Sequence, residues 1–126
     1  MVKGIGTDIT AIDRIADMIR KYGDHFLRKV FTDTEIAFCG SSVDAATHFA
    51  GRWAAKEAFY KALPSHCQAV SSWKSIQITA HNDSGRPVIE VCDVGLRDSL
   101  ERQGITSVHV SINHEHDYCI GFVVLE

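Results

Sequence analysis

Glu57 and Lys61 stand four residues apart in the run Phe49-Ala50-Gly51-Arg52-Trp53-Ala54-Ala55-Lys56-Glu57-Ala58-Phe59-Tyr60-Lys61-Ala62-Leu63, whose alanine content favours a helix. At about 100° per residue the two side chains project within ~40° of each other. Ala50, Ala54 and Ala58 surround them on that side, while Phe59 and Leu63 fall on another face. A carboxylate and an ammonium on an alanine-lined face admit a close neighbour or a ligand. The structural alternative is an ordinary i, i+4 ion pair worth ~0.3–0.5 kcal/mol. Asp8 is a second carboxylate, on a strand face shared with Gly4 and Gly6, where nothing blocks its approach to a cleft. Its structural alternative is a cap for a helix beginning near Ala11. Together Asp8 and Glu57 supply what magnesium takes from proteins: one or two carboxylates, with water and substrate phosphate completing the shell.

His114 continues the phase of Val108, Val110 and Ile112 and so points inward at a strand end, either as a functional group or as a satisfied core histidine. His109, His114 and His116 together raise the question of zinc. His109 points to the opposite strand face, however, and the spacing fits no finger or helical ligand pattern.

The elements that must position these groups are legible in outline. Val2 to Asp8 predicts a strand. Ile12, Ile15, Ile19 and Tyr22 form one apolar stripe of a helix that ends at Gly23, with Arg14, Asp17, Met18 and Lys21 on the other face. Thr32 and Glu35 make a capping-box pattern. Ser41 or Ser42 is placed to cap the central helix, predicted from Val43 to Leu63 and stopped by Pro64. Ile76 and Ile78 begin a strand, Asn82 to Gly85 turns, and Pro87 to Val91 returns. Leu96 and Leu100 suggest a helix ending at Gly104. Alternation from Val108 to Ile112, a turn over Glu115 to Asp117 and a strand from Tyr118 to Leu125 close the chain. Strands and helices do not alternate regularly, so the predicted class is α+β with antiparallel pairs.

A chain of 126 residues fits one domain, residues 1–126, and 45% hydrophobic with 23% charged residues describes a globular protein rather than a disordered one. No stretch approaches the ~18 apolar residues of a membrane span, and the polar start excludes a signal peptide. Cys39, Cys67, Cys92 and Cys119 are widely spaced, which reads as reduced, mostly buried thiols and a cytoplasmic protein. A net charge of −3 argues against a general nucleic-acid binder. Residues 1–30 nevertheless hold six Lys/Arg against four Asp, a locally basic segment suited to an acidic partner.

Read together, these segments resemble holo-[acyl-carrier-protein] synthase, the small bacterial phosphopantetheinyl transferase family. The resemblance is carried by Gly4-Ile5-Gly6-Thr7-Asp8-Ile9 with Ile12-Asp13-Arg14-Ile15, by Phe31 to Cys39, by Ala50-Gly51-Arg52 through Lys56-Glu57-Ala58-Phe59 to Lys61-Ala62-Leu63, by Gly85-Arg86-Pro87, and by Val110-Ser111-Ile112-Asn113-His114. It covers most of the chain in the family's order. It implies the family's fold and a homotrimer with active sites between subunits. Asp8 and Glu57 are implied as Mg2+ ligands and Glu57, Lys61 and His114 as catalytic groups. Arg52, Lys61, Gly85, Pro87 and His114 are implied as coenzyme A contacts. Arg14, Met18 and Lys21 are implied as the surface for acyl carrier protein.

The sequence departs from the family where Val43-Asp44-Ala45-Ala46-Thr47 replaces a basic segment, where Pro64-Ser65-His66-Cys67 replaces a glycine-rich turn, and at Asn113. The implied reaction is attack by a carrier serine on the β-phosphate of coenzyme A, expelling adenosine 3′,5′-bisphosphate, in support of fatty acid biosynthesis. Glu57 or a metal-bound water would take the serine proton. A magnesium-dependent phosphohydrolase would use the same carboxylates with water as nucleophile, and a non-catalytic oligomeric module would use the alanine face only for packing.

Overall fold

Helix α4 (Ala45–Ala62) is the element on which the others are laid. The computed structural model describes residues 1–126. Phe49, Ala50, Trp53, Ala54, Ala55, Ala58, Phe59 and Ala62 are all buried, so α4 is covered on nearly every side, as its alanine and aromatic content allows. Against it lies a three-stranded antiparallel sheet in the order β1 (Gly4–Ala11), β5 (Tyr118–Leu125), β4 (Val108–Glu115). Gly121 is paired with Asp8 on one side and Ile112 on the other. A Cβ at Gly6 would overlap the Ala58 carbonyl and one at Gly121 the Ala54 backbone, so glycine is what lets sheet and helix meet.

Helices α1 (Ile12–Tyr22), α2 (Asp24–Val30) and α3 (Asp33–Gly40) pack on one flank of α4 around Ile15, Phe31, Phe49 and Trp53. On the other flank, α5 (Ser65–Gln68), the antiparallel hairpin β2 (Ile76–Ala80) and β3 (Pro87–Val91), and α6 (Val94–Arg102) enclose Phe59, Ile76, Leu96 and Leu100. The predicted α+β class with antiparallel pairing is the observed one. No helix is long and apolar enough to cross a membrane.

Several boundaries move. The first strand runs to Ala11 rather than stopping at Asp8, because eight consecutive residues pair with β5. α1 starts without a side-chain cap, so Asp8 is not a capping residue; the Ile12 N–H donates instead to the Asp117 carbonyl at 2.8 Å. α4 is shorter than the predicted Val43 to Leu63, and Asp44, not Ser41 or Ser42, sits at its cap position. Tyr22 leaves the predicted stripe and is exposed, being the last residue before the turn at Gly23. The Thr32–Glu35 capping box forms. Cys39, Cys67 and Cys119 are buried free thiols, and Cys92 is exposed.

Candidate active site

Strand β1 and the C-terminal half of α4 bring Asp8, Glu57 and Lys61 together. Asp8 lies on the helix-facing side of β1, where Gly4 and Gly6 let the strand approach closely enough for its carboxylate to reach α4. Lys61 Nζ donates to Asp8 Oδ1 at 3.0 Å and to the Thr7 carbonyl at 3.1 Å, and Thr10 Oγ1 donates to Asp8 Oδ2 at 2.7 Å. The structural alternative, a Glu57–Lys61 ion pair, does not form; Lys61 crosses to the strand. Glu57 is left without an ion-pair partner of its own. Burial, and then the negative charge of Asp8, push its carboxyl above the ordinary range, while Lys61 and Arg14 pull it back. Two carboxylates that feel each other's charge, with one free to accept a ligand, fit a divalent cation. No group of three or more His, Cys, Asp or Glu side chains gathers for a closed metal site. A pair is what magnesium takes when water and phosphate complete its shell.

Arg52, Gly85, Pro87 and His114 converge separately. They line a cavity of about 230 Å³ between α4, β4 and the β2–β3 turn, together with Phe38 and His48. Gly85 holds φ +69°, a left-handed turn conformation that glycine adopts without cost. His114 keeps the phase of Ile112 and lines the cavity beside it, as expected of an inward-facing residue at a strand end, but it is exposed rather than part of the core. Arg52 stacks its guanidinium on Phe38, 4.7 Å from the ring centroid, and its Nε is buried without a hydrogen-bond partner. Arg52 and Glu57 are five residues apart on α4, about 140° around the axis and ~7.5 Å along it. The two groups of residues thus face different flanks of one helix.

Residues 4–123 match the family model of the 4′-phosphopantetheinyl transferase superfamily. The chain belongs to that superfamily. A holo-[acyl-carrier-protein] synthase of Rhodopirellula baltica is 40% identical over 124 residues, 98% of this chain and 97% of the relative. The crystal structure of the Neisseria meningitidis holo-[acyl-carrier-protein] synthase superposes with a TM-score of 0.86 at 33% identity, covering 100% of this chain and 99% of that one. That of the Helicobacter pylori synthase in complex with coenzyme A gives 0.79 at 25% identity, covering 97% and 99%. The chain is an enzyme, a transferase of this family.

On this phosphopantetheinyl transferase the exposed face of α1 carries Arg14 and Lys21, as its periodicity predicts, while Met18 is half-buried against the α1–α3 cluster. Met18 follows Ile15 by three residues, which turns it partly into the core. Arg14 lies over the Trp53 ring at 5.4 Å, and Trp53 stacks on Trp73 at 4.5 Å. This links the α1 surface to a cavity of about 210 Å³ beside Glu57 that Tyr60, Ser71 and Trp73 help to wall.

Two features escaped the sequence reading. Lys56, adjacent to Glu57, is buried and pairs with buried Glu35 at 2.9 Å, while its Nζ also donates to the carbonyls of Trp73 and Ile76. The available signal was Lys56 inside an otherwise apolar stretch of α4, but its partner sits 21 positions earlier. His48 lines the Arg52 cavity and stands one turn before Arg52, a spacing visible in the sequence.

Proposed function

We propose that this chain, acting as one domain, transfers 4′-phosphopantetheine from coenzyme A to a serine of apo-acyl carrier protein in support of fatty acid biosynthesis. The carrying observation is that Asp8 and Glu57, far apart in sequence, flank Lys61 at one place on the surface of α4. In the reaction a bond forms between the serine oxygen and the β-phosphorus. The bond from that phosphorus to the bridging oxygen breaks, and adenosine 3′,5′-bisphosphate leaves. Glu57 takes the serine proton, standing beside the attacked phosphate. Lys61, whose side chain is half-exposed, neutralises charge gathering on the departing 5′-phosphate of adenosine 3′,5′-bisphosphate. Asp8 holds Lys61 through one carboxylate oxygen while the Thr10 hydroxyl donates to the other and fixes the carboxylate. Asp8 and Glu57 are the residues that would hold Mg2+, which when bound supplies positive charge at the diphosphate.

Arg52, His114, Gly85 and Pro87 hold the nucleotide end of coenzyme A. Arg14, Met18 and Lys21 receive the carrier protein, whose acidic surface complements the basic α1 face. The two residue groups face different flanks of α4, and the outer faces of β1 and β5 expose Ile5, Ile9, Ile120 and Phe122. Both observations support a homotrimer in which one copy's nucleotide pocket completes another's carboxylate pair.

Incubating apo-carrier protein with the enzyme, coenzyme A and magnesium, then recording an intact mass, tests the reading. The expected result is a carrier adduct of one phosphopantetheine group on serine. Free phosphopantetheine in place of the adduct identifies a hydrolase, and an unchanged carrier and coenzyme A refute the assignment.

A further inference from the structure

His48 occupies the Arg52 cavity without a role in the transfer chemistry above. It stands one helical turn before Arg52, so both project from one face of α4. Both also touch Phe38: Arg52 lies over the ring, and the His48 ring meets it edge-on at 5.8 Å and 87°. Phe38 thereby sets the attitude of two nitrogen-bearing groups toward the same space. A third, His114, enters from β4. No acid lines the cavity, and Asp44, a turn back along α4 at the cap, is exposed. Arg52 Nε is buried and unpaired, which costs free energy that an anionic ligand restores.

We propose that His48 is a specificity-determining residue that, beside Arg52 and His114, donates to the ribose phosphomonoester of coenzyme A. The inference rests on the coenzyme A reading above, in which the diphosphate lies with Asp8, Glu57 and Lys61. The ribose phosphate then falls to the nucleotide pocket that Arg52 and His114 line. It carries three acceptor oxygens, more than one guanidinium side can satisfy. An imidazole on the same helix face supplies the missing donor.

Calorimetry with adenosine 3′,5′-bisphosphate and with 5′-AMP, which lacks the second phosphate, separates this role from packing. His48→Phe keeps the aromatic contact with Phe38 and removes the donor. It should weaken the bisphosphate roughly tenfold, as loss of one charge-assisted hydrogen bond does, and leave 5′-AMP unchanged. His48→Lys should regain most of the loss. An equal loss for both ligands, or no loss for either, overturns the proposal. Because these arms need no turnover, they are independent of the carrier-protein adduct. Wild-type protein that binds neither nucleotide refutes the coenzyme A reading itself.

Discussion

Glu57 carries a cost that its neighbours only partly relieve. Burial and the Asp8 charge raise its pKa, so in metal-free protein folding favours the protonated carboxyl. Its folded pKa lies above the unfolded one. The contribution to stability is therefore largest at acid pH and is lost as pH rises through the raised value. Glu57→Gln removes that loss. The variant should match wild type in acid, melt at a higher temperature than wild type at neutral pH, and show no transfer. Thermal melts across pH, with the mass assay beside them, check all three; wild-type turnover removes Glu57 from the mechanism. Magnesium should raise the melting temperature of wild type and not that of the variant. That the Asp8 carboxylate reaches α4 near Glu57 was legible from the glycines before Asp8. The partner of Lys61 was not, because helical spacing ranks Glu57 first while the close strand presents Asp8 at 3.0 Å.

The elements around α4 are joined by one buried ion pair. Glu35 caps its own helix by accepting from the Thr32 N–H, takes the Ile78 N–H at 2.9 Å, and pairs with Lys56, tying α3, α4 and β2 together. Burial lowers the Lys56 pKa, with the Glu35 carboxylate opposing it. Lys56→Met leaves a buried carboxylate without its countercharge, a change that costs about 3–5 kcal/mol. The urea midpoint should fall accordingly. Glu35→Gln combined with Lys56→Met removes the stranded charge and should lose less than Lys56→Met alone. Equal losses would mean that packing, rather than charge, holds the junction. The capping box could be read from Thr32 and Glu35 because capping is local. Glu35's reach to Lys56 and Ile78 is tertiary, and no periodicity encodes it. The same holds for α2 and α5, too short for a hydrophobic period to show.

Across the whole molecule the sheet is finished on one side only. Gly4, Gly6, Asp8 and Thr10 of β1 face α4, whereas Ile5 and Ile9 on the opposite face are 59% and 63% exposed. Ile120 and Phe122 of β5 continue that surface beside them. An apolar face of this continuity supports the proposed interface between copies of the chain. The alternation of Ile5, Thr7 and Ile9 with glycine was visible in the sequence, but alternation does not say which side the helix takes; the glycines decide that by admitting α4 to their own side. Under the shared-site reading, Ile9→Glu should place a charge in that interface and yield a single folded chain with unchanged circular dichroism and no transfer. Sedimentation of wild type should give three chains. A wild-type chain that sediments alone and still modifies the carrier protein would separate catalysis from assembly, and the carboxylate pair and the Arg52 pocket would then have to serve one substrate from two flanks of the same helix.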